Sequence, residues 1–141
     1  MAKLTSHGAK RLRRRVKTGM CSDKQYLEKV IKYGLLEKEA AGDLKHFMRA
    51  KAMNNGFSYV YRIYNQAMHV FANNNTLVTV YRLPKELISC ADMQAAQKHR
   101  SVDEEDERRR QLRRQKSAEY WAGKKKLNRL IEYEREINLR F

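Results

Sequence analysis

Between Ser58 and Pro84 helical spacing gives way to short runs of β-branched and aromatic residues split by Asn-rich turns, and that shift restricts the fold more than any other feature. The run Ser58-Tyr59-Val60-Tyr61-Arg62-Ile63-Tyr64 is rich in aromatic and β-branched residues, which suit a pleated backbone. Asn65-Gln66 then reads as a turn and Ala67-Met68-His69-Val70-Phe71 as a second short strand. After another turn at Asn73-Asn74-Asn75, Thr76 to Arg82 forms a third strand. Connections this short join antiparallel neighbours, so a three-stranded meander is expected. The only proline, Pro84, closes it, because proline has no N–H to give to a ladder.

Helical spacing precedes the strands. Ser6 is the expected cap of a helix reaching about Lys17, with Ala9, Leu12 and Val16 as its buried stripe and Gly19 suited to the left-handed end. A second helix starts near Ser22 or Asp23, buries Tyr26, Leu27, Val30 and Ile31, and stops at Gly34. A third covers about Lys38 to Met53, with Leu44, Phe47, Met48 and Ala52 inward, and breaks at Asn54-Asn55-Gly56. The expected fold class is α+β: N-terminal helices packed on one face of a small antiparallel sheet, then a long charged C-terminal helix. The expected organisation is a body over residues 1–85 and a helical extension over 86–141.

Charge separates these two parts. Of 31 Lys and Arg in the chain, 17 fall within residues 1–85 against 5 Asp and Glu, whereas residues 86–141 hold 14 against 11. The body is a polycation, and the usual partner of such a surface is nucleic acid or a nucleoprotein, bound in a salt-sensitive way. The candidate binding cations are Lys10, Arg11, Arg14, Arg15, Lys45, Arg62 and Arg82. Strand tyrosines Tyr59, Tyr61, Tyr64 and Tyr81 interleave with Arg62 and Arg82, a pattern that serves base stacking as well as core packing.

In the extension, Glu104–Arg108, Glu105–Arg109 and Asp106–Arg110 stand at helical ion-pair spacing. Beyond them Tyr120, Leu127, Leu130, Ile131, Ile137 and Phe141 give an apolar stripe, and Trp121 joins them as a candidate partner-binding residue. That stripe needs a partner: the body, another protein, or a second copy.

Other classes are set aside by what the chain contains. Cys21 and Cys90 lie far apart with no C-x-x-C spacing, too few for a disulfide framework or a zinc site. No carboxylates cluster with histidine for a metal, and there is no P-loop, G-x-S-x-G or Gly-rich phosphate loop. No cofactor is expected. No apolar run is long enough to span a membrane, and the basic N-terminus lacks the apolar segment of a secretory signal, so a cytoplasmic protein with no membrane partner is expected.

The order of short motifs along residues 5–84 resembles a family of small basic proteins from phages and other bacterial mobile elements. The motifs are His7-x-x-x-Arg11 on the opening helix, Tyr33-Gly34, Gly42-Asp43-Leu44-Lys45, Arg62-Ile63-Tyr64-Asn65, Leu77-Val78-Thr79-Val80 and Leu83-Pro84. More remotely, the layout is similar to the barnase/EndoU/colicin/RelE-like ribonuclease superfamily. The basic body points to a protein that docks on RNA, DNA or a host nucleoprotein in a bacterial cell, and the phage setting of the first resemblance would suit an inhibitor of host defence of the anti-CRISPR kind. The second implies a metal-independent endoribonuclease acting by 2′-OH transesterification. Under that implication His7 transfers the proton, Arg11, Lys45 and Arg62 stabilise the phosphorane, and Thr79 orients the phosphate, with Tyr81 or Tyr64 as an accessory hydroxyl or stacking ring. Histidine suits such proton transfer because its ordinary pKa, about 6.5, lies near neutrality. A third reading, a protein–protein adaptor acting through the C-terminal helix, stays open beside these two.

Overall fold

A computed structural model describes residues 2–140 of the chain, so Phe141, the last residue of the expected apolar stripe, lies outside the described residues. In order, the elements are β1 (Lys3–Leu4), α1 (Ser6–Arg15), α2 (Asp23–Tyr33), β2 (Leu35–Leu36), a 3-10 turn (Glu37–Glu39), α3 (Gly42–Asn55), β3 (Val60–Tyr64), β4 (Ala67–Ala72), β5 (Thr76–Arg82) and α4 (Lys85–Arg140). The three expected strands form the centre of the sheet. Two short strands extend it, so the sheet is five-stranded and mixed, in the order β1-β5-β4-β3-β2. β1 pairs with β5 in parallel and β2 with β3 antiparallel. Each added strand is only two residues long, too short to show any period.

The hairpin from β3 to β4 turns at Asn65 and Gln66, both at positive φ (51° and 61°), the conformation a two-residue hairpin turn requires. Helix starts moved slightly from expectation. Thr5, not Ser6, caps α1, its hydroxyl accepting from the Gly8 N–H. Ser22 caps α2 reciprocally with Gln25, and Gly34 ends it. α3 begins at Gly42, because Glu37–Glu39 forms a separate 3-10 turn.

Helices cover both faces of the sheet, not one. Leu44, Met48 and Ala52 of α3, with Leu87 and Ala91 of α4, pack on Tyr61, Ile63, Met68 and Val70. On the other face Leu12 of α1 and Tyr26, Leu27 and Val30 of α2 pack on Ala67, Phe71, Leu77 and Val80. The central strand explains this: Ala67 to Phe71 is buried without interruption, the pattern of a strand covered on both sides.

Contacts divide the chain between Val102 and Asp103. The first five turns of α4 therefore belong to the body, where sequence composition put the change at residue 85. Gln94 exchanges two hydrogen bonds with the Ala41 backbone, Gln66 donates to Asp92, and Lys98 pairs with Glu39. Residues 103–140 form a helical unit of their own, with Glu105 paired to both Arg108 and Arg109, and Glu107 to Arg110. No described helix is long and apolar enough to cross a membrane.

Candidate nucleic-acid cleft

α1 lies against the edge of β5 that β1 leaves unpaired. Contact is close because residue 8 is glycine: a Cβ there would sit 2.4 Å from the Leu77 carbonyl oxygen. The Thr5 N–H donates to that same oxygen at 3.2 Å. Further along, Arg15 Nη1 donates to the Val80 carbonyl at 2.6 Å. Arg82 reaches back to the carbonyls of Arg14 and Arg15 at 3.1 and 3.0 Å, where cations favour a helix C-terminus. These bonds fix which way α1 turns its polar face.

That face and β5 enclose a cleft of about 260 Å³, lined by His7, Arg11, Asn55, Tyr59, Val70, Val78, Thr79 and Tyr81. Val78 is the extra residue of a β-bulge, since Val70 pairs with Thr79 while Phe71 pairs with Leu77. Bulges re-aim side chains. Here the bulge lets Leu77 enter the α1–α2 core while Thr79 takes the same sheet face as Tyr61 and Val70.

Arg11 Nη1 donates to Thr79 Oγ1 at 3.1 Å, across 68 residues of sequence. With its oxygen occupied as an acceptor, the Thr79 hydroxyl proton is left to donate elsewhere, and guanidinium carries only donors. Two donor groups therefore converge in a cleft whose lining holds no carboxylate. Cations flank its aromatic wall: Lys51 Nζ lies 4.7 Å and the Arg15 guanidinium 5.9 Å from the Tyr81 ring centre. Such a lining suits an anion with a planar group attached.

The fold thus brings together His7, Arg11 and Thr79, with Tyr59 and Tyr81. It does not bring Arg62 or Lys45 to them. Arg62 belongs to the neighbouring cross-strand row, opposite His69 and Val80, and so to the other sheet face. There its guanidinium lies 4.8 Å over the Phe71 ring, Nη1 is buried with no hydrogen-bond partner among the described residues, and burial lowers its pKa from the usual arginine value. Lys45 is half-buried on α3 and outside the cleft lining. Lys10 and Arg14 are exposed on α1. Arg15 and Arg82 chiefly clamp α1 to β5.

His69 is fully buried and hydrogen-bonded through Nε2 to the Tyr26 hydroxyl at 3.0 Å. Burial pushes its imidazole down to about 4 and pushes the Tyr26 hydroxyl well above its ordinary range. Both are neutral near pH 7, a structural pair.

A second cavity of about 480 Å³ escaped sequence reasoning. Its polar and aromatic walls include Lys17, Cys21, Lys29, Tyr33, Tyr64 and His99. Tyr33 and His99 stack with ring centres 4.0 Å apart, and Lys29 Nζ lies 3.3 Å from Cys21 Sγ. Only the helical spacing of Tyr26, Lys29 and Tyr33 hinted at it; His99 arrives from α4, which the sequence assigned to the extension. Among the described residues no group of three His, Cys, Asp or Glu could hold a metal ion.

Comparison with protein-family models, with curated proteins and with solved structures finds no match.

Proposed function

We propose that this protein binds RNA at the α1–β5 cleft and cleaves it there without a metal ion. The observation that carries this reading is the convergence of His7, Arg11 and Thr79, with two tyrosines, in one acid-free cleft. A phosphodiester fits the donor set: Arg11 and Thr79 hold its nonbridging oxygens, and Tyr59 or Tyr81 stacks on an adjoining base.

Cleavage needs little more from the protein. His7 takes the proton of the ribose 2′-OH as that oxygen bonds to phosphorus. Charge that builds on the nonbridging oxygens is met by the Arg11 guanidinium and the Thr79 hydroxyl. The P–O5′ bond then breaks, leaving a 2′,3′-cyclic phosphate and a 5′-oxygen that takes a proton from water, and the hydroxide so formed takes back the proton that His7 holds. Arg62 has no part in this reading, because it lies on the opposite sheet face.

The excess of 17 basic over 5 acidic residues in positions 1–85 supports RNA, a polyanion, as the partner. Binding without cleavage, in the manner of an inhibitor that occupies a host nucleoprotein, is the second reading. The extra cations Lys10 and Arg14, exposed beside the cleft on α1, favour it as well. One experiment separates the two. Labelled single-stranded RNA is incubated with the protein in EDTA, alongside His7→Ala. Products ending in cyclic phosphate that vanish in the variant support cleavage. Intact RNA retained in a salt-sensitive complex supports binding alone. No cleavage together with no retention at low salt contradicts both.

A further inference from the structure

The helical unit from Asp103 onward presents several large apolar side chains to solvent, Trp121, Ile131, Tyr133 and Leu139 among them, and four of the set share a regular spacing. Tyr120, Leu127, Leu130 and Ile137 are exposed by 63, 57, 57 and 37%. Tyr120 and Leu127 stand seven residues apart, as do Leu130 and Ile137, and Leu127 and Leu130 are three apart. These are the a and d positions of a heptad. The same register gives Gly123 a d position and Glu134 an a position.

Gly123 is the only glycine in the 56 residues of α4. Glycine in the middle of a helix weakens it relative to alanine, but it lets another chain approach closely. Among the described residues, nothing outside the helix's own backbone lies within 4 Å of where a Gly123 Cβ would be. A groove of about 500 Å³ opens there, between Glu119, Tyr120, Gly123, Lys124 and Leu127.

We infer that this segment pairs with the same segment of a second copy as an antiparallel two-stranded coiled coil. In a parallel pair a faces a and d faces d. That would set Glu134 against Glu134 and Gly123 against Gly123, a like-charge contact and a void in one seam. Antiparallel pairing sets a against d. Tyr120 then meets Ile137 of the second copy, and Leu127 meets its Leu130. Glu134 enters the groove at Gly123, beside Lys124. Across the seam Glu119 faces Arg140 of the second copy, with opposite charge. Each contact occurs twice about the two-fold axis. The protrusion and the groove that receives it belong to one helix, which is why the occupant is a second copy.

The test uses the full chain with Cys21 and Cys90 replaced by serine. Light scattering should show mass rising from one chain to two with concentration. Leu127→Asp with Leu130→Asp should hold the protein at one chain with its circular dichroism unchanged, since both positions are exposed. Gly123→Leu should strengthen the helix yet weaken the dimer by filling the groove that Glu134 uses. Mixing Tyr120→Cys copies with Ile137→Cys copies should give disulfide-linked pairs at least about tenfold faster than either alone, through effective concentration. A single chain at every concentration would overturn the inference. So would self-linking of Tyr120→Cys alone, which reports parallel pairing, or a dimer that survives both aspartates.

Discussion

Two sets of similar side chains, one at the α1–β5 edge and one in the core beneath α1 and α2, meet different fates. At the α1–β5 edge, His7 is exposed and Arg11 half-exposed beside Tyr59 and Tyr81. In the core, His69 is fully buried against Tyr26, with Arg62 directly opposite it on β3 and its guanidinium over the Phe71 ring. Each set holds a histidine, an arginine and aromatic rings. The first has donors converging on open space; the second has them turned into packed core. Residue type alone does not make a site. What decides is whether the fold leaves the polar atoms a cleft to point into.

The largest expected effect separates the histidines by activity. His7→Ala should lower RNA cleavage in EDTA by between about 100- and 10,000-fold, the usual worth of a general base, with the melting temperature unchanged because the side chain is exposed. His69→Leu should leave the cleavage rate per folded molecule near that of the parent chain. Loss of cleavage with His69→Leu alone, at full folding, would reverse the assignment.

Acid should then separate them by stability. The folded-state value of His69 lies below its unfolded one, about 4 against 6.5. The unfolded chain therefore binds the proton first as pH falls. Stability from this residue is complete above pH 6.5 and drains away as pH drops toward 4, on the order of 3 kcal/mol in all. Urea unfolding across that window should show the loss in the parent chain and a flatter profile in His69→Leu. An unchanged slope in the variant would assign the acid sensitivity to other groups.

Somewhat smaller is the cost of disturbing the seat of α1. Gly8→Ala places a methyl 2.4 Å from the Leu77 carbonyl oxygen, an overpacking that should destabilise by about 1–3 kcal/mol. RNA affinity measured on the folded fraction should fall with it, because His7 and Arg11 move away from Thr79. Normal affinity in Gly8→Ala would mean the cleft does not depend on that contact.

The smallest effect is expected at Arg62. Its Nη1 is a buried donor without a partner among the described residues, so Arg62→Met should change stability by no more than about 1 kcal/mol and leave RNA binding intact. Arg11→Met should weaken RNA binding and reduce its salt dependence. Equal losses from both arginines would erase the distinction between the faces.

Much of the fold was legible because it is written locally. The β-branched and aromatic runs, the Asn-rich turns, the helix start near Ser22 and Gly34 at a helix end are all short-range signals. β1 and β2 were not, because two-residue strands exist only through the neighbours they pair with. Burial on both sheet faces was legible in principle: Ala67-Met68-His69-Val70-Phe71 has no alternation, and a strand open to solvent would show some. The site was legible in part. His7 and Arg11 share a helix face, which spacing reveals. Thr79 joins them through a bulge that sequence periodicity does not register. Arg62 and Thr79 both stand in strands amid apolar residues. The register that separates their faces is set by the turn at Asn65-Gln66 and the bulge at Val78, so it lies beyond a reading of each strand alone.

The most direct measurement follows the imidazole resonances of the full chain while a short single-stranded RNA is added at low salt. The resonances of His7 should move with added RNA and return as salt is raised, while those of His69 stay in place. Stationary His7 signals in a complex that demonstrably holds RNA would contradict the cleft as the binding site.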